Sequence, residues 1–393
     1  MRLLVLSGCW PTQANPISGI FVAQQVAAFV RAGCDVRVAC IGNTFHRPSF
    51  FSCDLGRNGK DRSLIPQEVR VNNLPEQLFW LPGSMAFNVS LTGRAIAAYL
   101  KELQRSWRPN AVLVHGMRYL GFSVPYWRQL IDGKVVQVIH GVDRRLSNGH
   151  AGKQFDAWVA NSAASLDSTV IVGTPLLSHA AGLGIADVRL VSNGTDIPPL
   201  STIDFSQRAL PAPRILLSVS NLDSIKGIDL NLLALSRITQ KLPGLEWEYR
   251  IVGDGAERTR LEALKTELGI AERVHFLGRL DYAETMSEMA NCDVFCLPSW
   301  GEAFGIVYIE AMARGRPVVG CWRNGAQDIV THESDGLLVE PKDVDSLSEA
   351  LGQLLSDPDA CSRLGRRARL TAERFSWDSN VRNMLGILGL PVN

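Results

Sequence analysis

Short runs of β-branched and leucine residues alternate with stretches of helical periodicity along almost the whole chain. Such alternation is typical of βαβ units, in which parallel strands are joined by helices that cover both faces of a sheet. The first half contains six expected strands, at residues 3–7, 35–40, 111–115, 135–140, 157–161 and 188–191. The second half contains six more, at residues 215–219, 248–252, 274–277, 294–297, 317–320 and 336–339. The pattern therefore predicts an α/β protein with two doubly wound parallel sheets.

A proline-rich stretch separates the two sets of strands and is the expected hinge. It divides the 393 residues into a first domain of residues 1–196, a linker of residues 197–212 and a second domain of residues 213–375. Two domains agree with the length, which is about twice that of a usual single domain. Because doubly wound sheets bind ligands at the carboxyl ends of their strands, the expected site is a cleft between the domains.

The charges are balanced overall but unevenly distributed. The formal net charge of +1 argues against a nucleic-acid partner. Residues 1–200 carry 19 basic and 12 acidic side chains, a difference of +7, whereas residues 201–393 carry 21 and 27, a difference of −6. The first half is therefore expected to meet an anionic partner.

Residues 45–62 and 76–94 of the first half mix aromatic with basic side chains. This mixture suits an anionic membrane surface or a lipid-diphosphate acceptor, and the alternative is that the aromatic residues belong to the core. No apolar run reaches the roughly 18 residues of a membrane span, and the one after Met1 is too short for a signal peptide. The eight cysteines include no C-x-x-C pair and are interpreted as reduced thiols. The expected location is the cytoplasm, with peripheral association at the inner face of the cell membrane.

The most informative stretch runs from Pro298 to Pro317. It contains a strand end, a loop of small residues and a helix that begins near Gly305. Such a loop presents free backbone N–H groups at a helix N-terminus, which is an anion site. Glu302 in the loop and Glu310 in the helix would be able to accept hydrogen bonds from sugar hydroxyls. The alternative is that Glu302 caps the helix and Glu310 is a solvated surface residue.

The E-x7-E spacing of these two glutamates resembles the donor-site signature of glycosyltransferase family 4, a group of retaining enzymes with the GT-B fold. Further matches occur in the family's order, in the segments 218–222 with 226–227, 251–255, 276–279 and 336–339. The resemblance covers nearly the whole chain. It implies the GT-B fold, with two Rossmann-like domains facing each other across a cleft. It also implies that the last helix, within residues 376–393, returns to the first domain.

The resemblance implies a role for each matching residue. Glu310 would hold the ribose hydroxyls, while Glu302 and Lys226, as catalytic residues, would hold the transferred sugar and the diphosphate. The other donor-binding residues that it implies are Gly19, Asn221, Gly253, Leu277, Ala303, Phe304, Gly305, Ile306 and Val307. A departing nucleoside diphosphate gains negative charge, so the transition state needs fixed positive groups and amide dipoles.

One position departs from the family's pattern. The family usually has an arginine five residues before the lysine, where this chain has Asn221. Asparagine donates a hydrogen bond but carries no charge, so it would hold the diphosphate less strongly. Arg279 and Arg323 are the candidates to compensate. The same departure leaves open a non-catalytic partner protein that binds nucleotide-sugars.

The first half supplies the remaining candidates. Gly19 lies in a loop that would let the backbone approach the donor phosphate. His140 ends a buried strand and matches the family's histidine that contacts the transferred sugar, so it is counted as catalytic. His115 ends the preceding strand and, with Asp143, is a candidate for acceptor binding. No residue is identified as a nucleophile for double displacement, so retention by same-face attack is implied by the family alone.

The function that the resemblance implies is transfer of a sugar from a nucleotide-diphospho-sugar to a glycan or lipid-linked acceptor, in polysaccharide or glycolipid synthesis. UDP is favoured over GDP as the nucleotide. A nucleotide-sugar epimerase or a phosphorylase of the same fold is the closest enzymatic alternative. The family is metal-independent as a rule, so neither a metal nor a cofactor besides the donor is expected. The D-x-D sequence from Asp343 to Asp345 is interpreted as a helix cap.

Overall fold

A computed structural model describes residues 1–11, 17–42, 70–75, 85–116, 119–141, 152–205 and 213–391. The chain forms two compact units, one of Met1–Gly194 with Trp377–Asn393 and one of Thr195–Ser376. Each unit is built on one parallel sheet with helices between the strands. The prediction of two doubly wound α/β sheets is confirmed.

The first unit contains a seven-stranded parallel sheet in the order β3-β2-β1-β4-β5-β6-β7. Its strands are β1 (Arg2–Ser7), β2 (Asp35–Gly42), β3 (Arg70–Pro75), β4 (Ala111–His115), β5 (Lys134–Ile139), β6 (Ser168–Ile171) and β7 (Val188–Leu190). Its helices are α1 (Ile20–Arg31), α2 (Met85–Leu103), α3 (Tyr119–Ser123), α4 (Gly152–Ala164), α5 (Pro175–Gly182) and, from the end of the chain, α12 (Trp377–Leu388). The central strands β1 and β4 are buried along nearly their whole length, which is why they consist almost entirely of aliphatic residues.

Two strand assignments in this unit differ from the sequence prediction. Residues 157–161 were expected to form a strand but lie in helix α4, and the strand follows at β6. A run of five residues is too short to distinguish the period of a strand from that of a helix, and here it belongs to a 13-residue helix. Strand β3 was not predicted, because its sequence contains two asparagines and a proline, which are rare in strands.

The second unit contains a six-stranded parallel sheet in the order β10-β9-β8-β11-β12-β13. Its strands are β8 (Arg214–Val219), β9 (Trp247–Val252), β10 (Val274–Gly278), β11 (Val294–Cys296), β12 (Val318–Cys321) and β13 (Gly336–Val339). Its helices are α6 (Ile228–Lys241), α7 (Arg258–Glu267), α8 (Tyr282–Asn291), α9 (Ile306–Ala313), α10 (Val344–Ser356) and α11 (Pro358–Ala372). A buried ion pair of 2.9 Å between Arg214 and Asp293 joins the starts of β8 and β11.

The segment that connects the two units packs within the second one where the structure describes it. The Arg369 guanidinium donates a hydrogen bond of 2.9 Å to the carbonyl of Pro198, and Arg316 donates one of 2.7 Å to the carbonyl of Asp204. Residues 197–205 of the predicted linker are therefore held by helix α11 and the turn before β12. The rest of that linker, up to residue 212, lies outside the described residues.

Helix α12 packs within the first unit. Trp377 is buried, its indole N–H donates to Gln24 at 3.2 Å, and a side chain at Gly194 would collide with it. The amide of Gln25 donates a hydrogen bond of 2.6 Å to Asn380 of the same helix. The last helix therefore completes the first domain.

Along the described residues, no helix combines the length and the apolar composition needed to cross a membrane. The aromatic and basic residues proposed to meet a membrane are placed only in part. Residues 45–62 and 76–84 lie outside the described residues, and 85–94 begin helix α2.

Candidate functional site

The loop after strand β8 carries Asn221 and Lys226. Asn221 is exposed directly after the strand, and Lys226 ends a short 3-10 turn, Ser224–Lys226. Gly227 follows with φ 71°, a left-handed conformation that favours glycine, and precedes helix α6. A side chain at Gly227 would put its Cβ 2.6 Å from the carbonyl oxygen of Pro298. Glycine is needed here because the two loops touch.

The ammonium of Lys226 and the carboxylate of Glu302 form an ion pair of 2.5 Å. The two side chains are only 18% and 14% exposed, so water screens the pair weakly. The loops that carry them are joined by a backbone hydrogen bond of 3.2 Å from Trp300 to the carbonyl of Ile225. Two residues 76 positions apart in the sequence, both predicted to bind donor, therefore lie in direct contact.

Helix α9 begins at this loop. Gly305 precedes it with φ 93°, and within the described second unit no side chain caps its N-terminus. Amide groups of the first turn, at Ile306 and Val307, are therefore available to an anion, and the helix dipole adds to their attraction. Phe304 is buried and Ala303 lies beside it, so the loop is anchored by one apolar side chain.

Glu310 is buried in helix α9, with 7% of its surface exposed. Burial raises its pKa from the ordinary 4.5 to about 7, with Arg314 lowering the pKa and Asp196 raising it. The guanidinium of Arg314 bonds the backbone carbonyl of Glu310 at 2.9 Å. The alternative interpretation of Glu310 as a solvated surface residue is therefore wrong. A buried carboxyl with a raised pKa is suited to hydroxyl groups of a ligand.

Gly253 and Leu277 lie at the carboxyl ends of the neighbouring strands β9 and β10. Gly253 has φ 127°, and a Cβ there would be 1.8 Å from the carbonyl oxygen of Ser220. Its N–H donates a hydrogen bond of 2.7 Å to the carbonyl of Gly278. Leu277 occupies the irregularity in the pairing of β10 with β9, between Phe276 and Gly278. The predicted nucleotide residues therefore adjoin the loop after β8, where Lys226 lies.

Asn324 and Gly325 support the donor loop and were not predicted. The Asn324 amide donates a hydrogen bond of 2.6 Å to the carbonyl of Ser299, and the Gly325 N–H donates one of 3.0 Å to the carbonyl of Glu302. A side chain at Gly325 would put its Cβ 2.4 Å from the Cα of Phe304. The sequence signal was the Asn-Gly pair, a turn dipeptide that follows the next strand.

The two arginines suggested as substitutes for a charge at position 221 have different surroundings. Arg323 pairs with Glu340 at 3.2 Å and is 76% exposed. Arg279 is exposed directly after strand β10, beside the predicted nucleotide residues.

The first unit holds the remaining candidates. Gly19 has φ 67° and precedes helix α1, and a Cβ there would lie 2.6 Å from the carbonyl of Cys9. His115 and His140 lie at the ends of β4 and β5, with Nδ1 of the first 2.8 Å from Nε2 of the second. Burial lowers the pKa of His115 well below its ordinary value and that of His140 to about 4. Asp143 lies outside the described residues.

The D-x-D sequence is a helix cap, as predicted. The Asp343 carboxylate accepts hydrogen bonds from the backbone N–H groups of Asp345 and Ser346, at 2.9 and 3.2 Å, at the start of α10. These bonds lower the pKa of Asp343.

Comparison with known proteins gives matches over most of the chain. Residues 201–371 match the family described as "Glycosyl transferases group 1", and residues 18–194 match the "Glycosyl transferase 4-like domain". Glycogen synthase of Mycobacterium tuberculosis is 28% identical over 395 residues, which cover 96% of this chain and 92% of that protein.

Solved structures share the fold. Sucrose-phosphate synthase from Thermosynechococcus elongatus superposes with a TM-score of 0.74 at 22% identity, covering 98% of both chains. Anabaena HepE in complex with UDP superposes with a TM-score of 0.69 at 17% identity, covering 99% of this chain and 100% of that one.

Proposed function

Because the chain belongs to glycosyltransferase family 4 and has the GT-B fold, we propose that it transfers a sugar from a UDP-sugar to a glycan or lipid-linked acceptor with retention of configuration. The observation that carries the proposal is the contact between Lys226 and Glu302 at the start of two helices. It puts one cation, one carboxylate and uncapped amide groups beside each other. A nucleoside diphosphate joined to a sugar offers a matching set of charges and hydroxyls.

The residues act mainly on the leaving group. As the bond between the anomeric carbon and the diphosphate oxygen breaks, negative charge grows on the phosphate. Lys226 and the amides of Ile306 and Val307 stabilise that charge. The acceptor hydroxyl then bonds to the anomeric carbon on the same face, and its proton passes to the departing phosphate oxygen. Glu302 is engaged by Lys226, which favours a role in holding sugar hydroxyls over nucleophilic attack.

Glu310 serves the nucleotide in this proposal. Its buried position makes a charged carboxylate costly, and ribose hydroxyls would offset this cost by donating hydrogen bonds to it. UDP is favoured over GDP as the nucleotide of the donor because HepE, which shares the fold, is in complex with UDP in its solved structure. A glycan acceptor is supported by the similarity to a glycogen synthase.

The test is turnover by the purified chain with a panel of UDP-, GDP- and ADP-sugars and glycan or lipid-linked acceptors, with and without a chelator. We expect sugar to leave the UDP donor only when acceptor is present, equally well with chelator. Loss of sugar without acceptor would favour an epimerase or hydrolase. Nucleotide binding without any turnover would favour the non-catalytic partner.

Binding is measured separately by thermal unfolding. A nucleotide at 100 times its Kd stabilises by about 2.7 kcal/mol, which raises Tm by roughly 5–10 °C for a unit of this size. Lys226→Ala should remove most of this shift, whereas Lys241→Ala, which changes an exposed lysine at the end of α6, should keep it. An equal shift in both variants would contradict the assignment of Lys226.

Peripheral membrane association remains a separate proposal that rests on the excess of basic residues in the first half. Each basic residue near an anionic surface contributes roughly 1 kcal/mol. Co-sedimentation should therefore increase with the fraction of anionic lipid in the vesicles and fall with salt. Binding that does not depend on anionic lipid would refute it.

A further inference from the structure

The first unit contains two histidines whose rings meet edge to edge. Nδ1 of His115 lies 2.8 Å from Nε2 of His140, and the two ring planes are inclined by only 8°. Phe21 of helix α1 packs on His140, with 4.6 Å between the ring centroids. His140 is thus fixed on one side by an aromatic ring and on another by the second histidine.

The remaining two ring nitrogens are buried without a partner. Nε2 of His115 and Nδ1 of His140 form no hydrogen bond with any of the residues that the structure describes. His115 is 4% exposed and ends β4, a strand paired on both sides, so its position is rigid. A buried ring nitrogen needs a hydrogen-bond partner, and a hydroxyl group of a ligand can supply one at each of these two positions.

We propose that His115 is a positioning residue for His140: their shared hydrogen bond fixes the ring of His140 and couples its tautomer to that of His115, which leaves the pair with one donor and one acceptor nitrogen for hydroxyl groups of the sugar substrates. The inference deepens the proposed function, on which its catalytic part rests. The structural part, the coupling of the two tautomers, holds for the protein without substrate.

The tautomers are coupled because a neutral imidazole has one N–H and one acceptor nitrogen. If His115 donates through Nδ1, His140 accepts at Nε2 and carries its own proton on Nδ1, facing the ligand. If His140 donates through Nε2, its Nδ1 becomes an acceptor and Nε2 of His115 carries the proton. Either way the pair offers one donor and one acceptor, which matches a hydroxyl group. A lone histidine would exchange freely between the two forms.

The first experiment uses nitrogen-15 NMR of histidine-labelled protein without substrate, which distinguishes protonated from unprotonated ring nitrogens. In the wild type we expect the fraction of His140 protonated at Nδ1 to equal the fraction of His115 protonated at Nδ1, and in His115→Leu we expect the His140 fraction to shift. His115→Asn, whose amide can donate or accept a hydrogen bond, should bring the His140 spectrum back toward that of the wild type. Thermal unfolding confirms that each variant is folded. An unchanged His140 spectrum in a folded His115→Leu would overturn the inference.

The second experiment is a double-mutant cycle on turnover. His115→Leu should lower kcat by about tenfold, the scale of one hydrogen bond, with a smaller change in the KM for donor. In a His140→Ala background the same substitution should have no further effect, because His115 acts through His140. If the two substitutions lowered kcat independently and additively, His115 would contact substrate by itself, and the inference would be overturned. If no variant or wild type turns over any donor, the proposed function fails while the NMR result still decides the tautomer coupling.

Discussion

Replacing Glu310 with glutamine should stabilise the protein at alkaline pH. Glu310 has a pKa of about 7 in the folded protein and 4.5 as an ordinary carboxyl. Between these values the unfolded chain loses the proton while the folded chain keeps it, so stability falls as pH rises. Above pH 7 the carboxyl is ionised in both the folded and the unfolded chain, and the whole free-energy cost of burying the charged Glu310 remains. At about 1.36 kcal/mol per pH unit, this cost is roughly 3 kcal/mol.

The variant carries no such cost, so its advantage over the wild type depends on pH. At pH 8.5 we expect Glu310→Gln to be more stable by roughly 3 kcal/mol, and at pH 5 by less than about 1 kcal/mol, since the wild-type carboxyl is then protonated in the folded state. The assay is urea unfolding of the whole chain at the two pH values, with the free energy of unfolding extrapolated to water.

Glu349→Gln is the matched control, because Glu349 is exposed on helix α10. It should change stability by less than about 0.5 kcal/mol at both pH values. An advantage of Glu310→Gln that is equal at pH 5 and pH 8.5, or absent at pH 8.5, would refute the reasoning. The same variant should bind UDP more weakly, because Glu310 is proposed to hold the ribose hydroxyls. A gain in stability together with a loss of binding is expected, since a site that binds a ligand is often less stable than its inactive replacement.

Three further predictions concern stability and the nucleotide pocket. Trp377→Ala should destabilise the first unit by about 3–5 kcal/mol in urea unfolding, because a buried indole leaves a cavity. Asp293→Ala should cost about 3–5 kcal/mol by leaving the buried Arg214 guanidinium without this carboxylate, and replacing both residues by apolar ones should recover most of the loss. Gly253→Ala should lower Tm and abolish the UDP shift, because its Cβ would meet a carbonyl at 1.8 Å and its φ is 127°, costing more than about 1 kcal/mol. Gly244→Ala, where a Cβ meets nothing within 4 Å, should leave both measurements unchanged.

The order of strands and helices can largely be predicted from the sequence, because strands and helices bury apolar residues at different, characteristic spacings along the chain. The E-x7-E pair could likewise be placed on a loop and a helix, since glycine and the start of helical periodicity mark that boundary. The same local reasoning failed at residues 157–161 and missed β3, where the runs are short or polar and contacts with neighbouring elements decide the conformation.

What the tertiary structure alone decided is which residues touch. Lys226 meets Glu302 because β8 and β11 are neighbours in the sheet, although helices and two other strands separate them in sequence. His115 meets His140 for the same reason at the ends of β4 and β5. The burial that moves the pKa of Glu310 also depends on everything packed around α9. Sequence patterns report the period of one element, whereas contact and desolvation depend on how distant elements pack, which no local pattern records.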